Sequence, residues 1–187
     1  RGSRGKLMGK PLEQKSLELA LTKFSQSLQL HNIEHFVFFG TLLGLTRDGK
    51  PINGDDDVDF WVNKKDYKAL CNLLTSSGIK LDFENNPLHN KDFINVTGLL
   101  EETAINVDFY FFDATTDNNF LLERWNFLGK PENEESILRF PKPLVYPIKI
   151  KTYLGENIAV PQCDEIICDF LYGMNWRIPK RKVTDYN

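Results

Sequence analysis

Cysteine is scarce in this chain: three in 187 residues, at Cys71, Cys163 and Cys168. An odd count without zinc-ligand spacing argues against both a disulfide framework and a cysteine metal site, and His31, His35 and His89 do not supply the missing ligands. A reduced, cytoplasmic setting is the simplest expectation. Long apolar runs are missing as well. No stretch nears the roughly 20 residues that span a bilayer, and the start has no signal-peptide core, so a soluble chain is expected. Positive charge is not in excess either. A formal net charge of −3 speaks against nucleic-acid binding through a globally basic surface and leaves room only for a local basic site. There is no internal repeat, low-complexity tract or linker. With 41% hydrophobic residues the chain can bury one sizeable core, but it is short for two full domains. Residues 1–6, opening Arg1-Gly2-Ser3-Arg4-Gly5, read as a cloning remnant or disordered leader, and 7–187 as a single domain.

What is present is a mixed pattern of helices and strands. Leu17, Ala20, Leu21, Phe24 and Leu28 fall at helical spacing, which predicts an amphipathic helix from Leu12 to Leu30. His35 to Phe39 is apolar throughout and reads as a central strand, ended by Gly40. Thr41 to Arg47 then forms a short helix with Thr41 as N-cap. A turn-rich loop leads to a second strand from Asp57 to Val62, and Asn63 caps a helix from Lys64 to Ser77. Ile79 to Phe83 and Asp92 to Thr97 read as short strands. The alternation of Ile105, Val107, Phe109 and Phe111 predicts a stronger strand from Ala104 to Phe112, with Asn106, Asp108 and Tyr110 on its other face. Asp117 to Gly129 is ambiguous. Leu144 to Leu154 and Asn157 to Val160 suggest a hairpin turning at Gly155-Glu156, and Asp164 to Tyr172 a last helix closed by Gly173.

The chemistry concentrates in Asp55-Asp56-Asp57-Val58-Asp59. If strand geometry extends back to Asp55, then Asp55, Asp57 and Asp59 share a face and Asp56 points away. Three like charges in a small space repel unless a cation neutralises them, and hard oxygen ligands suit Mg²⁺ or Mn²⁺. Asp108 adds a third ligand or a base if its strand is the neighbour. An isolated acidic triplet is more often a solvated turn. Here Val58, Phe60, Trp61 and Val62 bury the strand that follows, which favours a built site. An EF-hand fails, because its Gly position holds Phe60 and its bidentate Glu position holds Asp66.

Upstream, Gly40-Thr41 at a strand-to-helix junction would let a phosphate approach backbone N–H groups, although an ordinary tight turn reads equally well. Arg47 offers a charge-assisted contact to phosphate, or an ion pair with Asp48 or Glu34.

Gly40-Thr41-Leu42-Leu43-Gly44-Leu45-Thr46-Arg47, followed by Ile52-Asn53-Gly54-Asp55-Asp56-Asp57-Val58-Asp59, closely resembles the signature of the LicD family, which includes fukutin and fukutin-related protein. The segment Leu171 to Pro179 is similar to the family's C-terminal Tyr-Gly, Trp and Pro pattern, so the likeness spans roughly Leu30 to Pro179. Asn53-Gly54 departs from it, since the family usually has Pro-Trp there. The resemblance implies an α+β fold, a nucleotidyltransferase-like mixed sheet flanked by helices. It also implies polysaccharide modification: metal-dependent transfer of phosphocholine, ribitol phosphate or glycerol phosphate from a CDP-activated alcohol donor to a glycan or lipid-linked glycan hydroxyl, releasing CMP. By the same resemblance, Asp57, Asp59 and Asp108 hold Mg²⁺ (or Mn²⁺), and Gly40, Thr41 and Arg47 face the donor phosphates. Asp55 matches a further acidic position, and Asp55 or Asp108 takes the acceptor proton. Trp176 reads as a buried residue closing the C-terminal helix, with contact to cytosine or phosphate by it and the basic tail as the alternative.

Two further readings compete: an NTP-dependent nucleotidyltransferase acting on a sugar, antibiotic or protein, and a non-catalytic nucleotide- or glycan-binding module. A sugar transferase with an Asp-x-Asp site leaves Gly40-Thr41 and Arg47 unexplained.

Overall fold

The computed structural model describes residues 10–78, 90–126 and 136–180. The strand expected at 79–83, residues 1–6, and the tail residues Arg181 and Lys182 lie outside them. Helix α1 (Gln14–Leu30) buries Leu17, Ala20, Leu21, Phe24 and Leu28, the face its periodicity marked out. Asn32 then adopts a left-handed backbone (φ 51°) and turns the chain into strand β1, His35–Val37. Helix α2 (Phe39–Arg47), strand β2 (Val58–Asn63) and helix α3 (Tyr67–Ser76) follow. Asn63 Oδ1 accepts from the Lys65 N–H at 3.0 Å and caps the turn that leads into α3, as expected.

A six-stranded mixed sheet organises the molecule, in the order β1-β2-β4-β5-β6, with β3 also paired to β4. Its remaining strands are β3 (Phe93–Leu100), β4 (Thr103–Ala114), β5 (Phe120–Glu123) and β6 (Arg139–Pro141). β4 is the axis. It pairs in parallel with β2, while antiparallel β3 and β5 share its other edge, β3 along the first part and β5 along the last. A four-residue helix α4 (Lys142–Val145) leads to a separate hairpin, β7 (Lys149–Tyr153) and β8 (Glu156–Val160). Helix α5 (Asp164–Tyr172) matches its expected bounds.

Each face of the sheet has its own cover. Phe60, Phe109 and Phe111 point to the side packed by α1 and α3, where Phe109 meets Phe24 and Phe111 meets Tyr67. The opposite side carries Trp61, stacked on Phe38 with centroids 4.0 Å apart, and Phe140, which reaches Phe170 of α5. One expectation is corrected here. β1 is an edge of the sheet and not a central strand, because its apolar run is covered from both faces and flanked by β8. Continuous burial therefore did not require a strand on each side.

The junction between β1 and α2 also differs from the sequence reading. The strand ends at Val37 and not at Gly40: Phe39 takes a left-handed backbone (φ 45°), and Gly40 lies inside the first helical turn. Thr41 is no N-cap. It sits within the helix, and its Oγ1 accepts the Asp59 N–H at 2.9 Å. Left-handed backbone in a bulky residue costs about 1–3 kcal/mol, and the packing of the Phe39 ring against Phe38, Trp61 and Tyr110 offsets it.

Two outcomes follow from this packing. A Cβ at Gly44 would stand 2.6 Å from the Lys50 carbonyl oxygen and 2.9 Å from the Ile52 nitrogen, so Gly44→Ala pushes away the loop that delivers the acidic run. Urea unfolding should register a loss of about 1–3 kcal/mol; an unchanged midpoint would mean that the loop does not rest on Gly44. His35 is buried, its Nδ1 2.7 Å from the Ile33 carbonyl oxygen, and burial holds its pKa below the ordinary 6.5. The folded state thus prefers the neutral ring, so its stability contribution is full above pH 6.5 and is lost as pH falls below it. His35→Phe should flatten the loss of unfolding free energy between pH 7.5 and 5.5, and an unaltered slope would contradict this.

Candidate active site

Parallel pairing of β2 with β4 sets Asp59 opposite Asp108. Asp57, two residues before Asp59, joins them: oxygens of Asp57, Asp59 and Asp108 lie within 4.8 Å of one another. All three are buried, at 7%, 5% and 0% exposure. Asp59 and Asp108 stand on the sheet face that carries Trp61 and Tyr110, toward α2. The sequence-predicted trio is therefore brought together.

Asp55 is placed differently. The strand begins at Val58, so its alternation does not extend back to Asp55, and Gly54 (φ 85°) turns the chain just before it. The buried Asp55 carboxylate accepts the Asp56 N–H at 2.9 Å, and its Oδ2 lies 2.9 Å from where a Cβ on Gly40 would be. Its own carbonyl oxygen accepts the Leu12 N–H. Gly40 thus makes room for a carboxylate at the start of α2, where the helix dipole favours an anion. Asp55, Asp56 and Asp57 form a second cluster with oxygens within 4.8 Å, so half-buried Asp56 does not simply turn away.

Arg47 ends α2 and forks onto its neighbour, Nε reaching both Asp48 carboxylate oxygens at 3.0 and 3.1 Å and an Nη reaching one at 2.8 Å. Of the three partners open in the sequence, the structure has Asp48. Only 6% of the Arg47 side chain is exposed. Next to it, Thr46 Oγ1 donates to Asp164, which also receives Lys149 and Lys151 and so ties α2, β7 and α5 together. Burial alone would raise the Asp164 pKa, but the two lysines and Thr46 bring it below the ordinary carboxylate range. This cluster lines a cleft of about 370 Å³ with none of the acidic trio in its wall.

Three further groups stand near the trio. Asn95 on β3 faces Asp108 and donates to its Oδ1 at 2.6 Å. Tyr110, two residues beyond Asp108 and buried, has its pKa raised well above the ordinary range, first by burial and then by Asp59, Asp108 and Glu123. Glu123, wholly buried, pairs with Phe112 in the β4–β5 register and so shares that face. Alternation on β4 already marked Tyr110, whereas Asn95 and Glu123 needed the strand pairing. Trp176 has the structural role expected of it: it is buried, and its Nε1 donates to Asp169 at 2.6 Å under the Arg177 guanidinium.

The trio fits a small hard cation. Oxygens around an octahedral Mg²⁺ at about 2.1 Å stand roughly 3–4 Å apart, a short closure from the spacing here. Among the described residues, no helix is long and apolar enough to cross a membrane.

No curated protein matches the chain in sequence. Solved structures of similar shape include the lincosamide antibiotic adenylyltransferase LnuA bound to lincomycin, with TM-score 0.58 and 14% identity over 94% of this chain and 93% of that one. Another is an antigenic nucleotidyltransferase-like protein from Paracoccidioides brasiliensis, with TM-score 0.42 and 16% identity over 81% of this chain and 62% of that one. At its level of identity the adenylyltransferase shares the fold alone, a nucleotidyltransferase-like mixed sheet flanked by helices. Residues 32–163 match the family described as LicD/FKTN/FKRP, nucleotidyltransferase domain, which is more than half of the sequence, and the chain therefore belongs to the LicD family.

Proposed function

We propose that this transferase moves a phospho-alcohol (phosphocholine, ribitol phosphate or glycerol phosphate) from a CDP-activated donor to a glycan hydroxyl and releases CMP. The reading rests on one observation: the buried convergence of Asp57, Asp59 and Asp108 beside the start of α2 in a LicD-family chain. Asp57, Asp59 and Asp108 would hold the divalent cation, Mg²⁺ or Mn²⁺. Bound there, it would offset charge on the donor pyrophosphate.

The chain's own groups divide the remaining work. The acceptor oxygen attacks the phosphorus that carries the alcohol, the bond from that phosphorus to the bridging oxygen breaks, and CMP leaves with the bond electrons. The hydroxyl proton passes to Asp55, which stands outside the cation-holding trio but next to it in sequence. Gly40 and Thr41, in the first turn of α2 beside the Asp55 carboxylate, would face the donor phosphates. Arg47 contributes by exchanging Asp48 for a phosphate oxygen, the same bidentate geometry with a different anion.

A second reading draws on the shared fold with an adenylyltransferase: transfer of a nucleoside monophosphate from an NTP. The two differ in what leaves. Incubation with CDP-choline, CDP-ribitol, CDP-glycerol, CTP and ATP in Mg²⁺, with the products identified by mass, should give CMP from one of the CDP-alcohols. Pyrophosphate release from an NTP would replace this reading with the second, and nucleotide binding without turnover would leave a non-catalytic module.

The cation-holding role has its own test. Asp59→Asn removes one of three crowded carboxylates, so without metal the variant should be more stable than wild type by about 1 kcal/mol or more. It should also lose the stabilisation that Mg²⁺ and CDP give wild type in thermal unfolding. A variant that is less stable without metal and still responds to Mg²⁺ would place the cation elsewhere.

A further inference from the structure

Asp108 is the most deeply buried member of the trio, and a carboxylate offered to a cation must have its plane fixed beforehand. The group that fixes it comes from a strand outside the acidic motif. Asn95 lies on β3 directly opposite Asp108 and is itself only 8% exposed. Its Nδ2 donates at 2.6 Å to Asp108 Oδ1 and at 2.8 Å to Asn106 Oδ1. Asn106, on the same face of β4 as Asp108, donates in turn from Nδ2 to the Asp56 backbone carbonyl at 2.9 Å.

The orientation of this relay is settled at its far end. A backbone carbonyl only accepts, so the Asn106 amide must turn its nitrogen to Asp56 and its oxygen to Asn95, which then turns its own nitrogen to Asp108. Both N–H groups of the Asn95 amide are thereby used. The chain of amides joins β3, β4 and the loop between Asp55 and Asp57, fixing the Asp108 carboxylate relative to the segment that carries Asp57.

The charge of the relay matters as much as its reach. A Lys or Arg at position 95 would also hold Asp108, but it would neutralise the trio and compete with a cation for it. An amide donates without adding charge. We infer that Asn95, acting through Asn106, is the positioning residue of the cation site, holding Asp108 Oδ1 so that the trio keeps its spacing and its negative charge for a divalent metal. This rests on the reading of the trio as a metal site.

Titration of the full chain with Mn²⁺ alone, followed by calorimetry, tests the assignment. Asn95→Ala should weaken Mn²⁺ binding roughly 10- to 100-fold. Val96→Ala serves as the control, since Val96 is the next residue of β3 with its side chain on the other face of the sheet, so it loosens the strand without touching the relay. It should bind Mn²⁺ within about twofold of wild type. Equal affinity in Asn95→Ala and wild type overturns the role of Asn95 while leaving the metal site standing. An equal loss in Val96→Ala reduces Asn95 to a strand-packing residue. If wild type takes up no Mn²⁺, the metal reading falls, and this role falls with it.

Discussion

The parallel register between β2 and β4 is the constraint on which the site depends. It sets Asp59 beside Asp108 on one face and Phe60 beside Phe109 on the other. Stacking of that aromatic pair at 5.6 Å, continued into α1 through Phe24, fixes the register by burial. A slip by one residue would put the carboxylates into the aromatic core and the rings onto the site. Hydrophobic packing on one face thus holds two like charges together on the other. A divalent cation held there, as proposed, would relieve their repulsion.

Around that pair, the segment from Phe38 to Asp57 works as a single brace. Thr41 Oγ1 holds the Asp59 N–H from within α2, and the close approach of the loop at Gly44 returns the chain to Asp55. The left-handed Phe39 allows α2 to start within two residues of β1, so the first helical turn is delivered beside the acidic run. Strain at this junction sits where geometry matters most for the proposed chemistry.

Much of this was legible in the sequence because alternation is a local signal. Asp57, Asp59 and Asp108 could be placed from the apolar residues between them. α1 could be read from helical spacing, and α5 from the Gly173 that closes it. For Asp55 the condition of continued strand geometry is not met, because the strand begins at Val58 and a positive-φ Gly54 bends the loop before it. Thr41 looked like a cap because Thr before an apolar run usually is one, yet its hydroxyl serves β2. Asn95 was hidden by its hairpin. The turn joining β3 to β4 uses Glu101 and Glu102, both left-handed (φ 48° and 63°), where Asn-Gly would have announced it. Without that pairing, nothing local puts Asn95 across from Asp108.

Two acidic clusters share Asp57: the trio with Asp59 and Asp108, and the run Asp55-Asp56-Asp57. The metal role proposed for the trio comes down to which of the two would take the cation. Anomalous diffraction from crystals grown with Mn²⁺ measures it directly. A manganese peak is expected among the carboxylates of Asp57, Asp59 and Asp108, within about 2.0–2.3 Å of an oxygen from each. A peak bounded by Asp55 and Asp56, with Asp108 remote from it, would contradict the account.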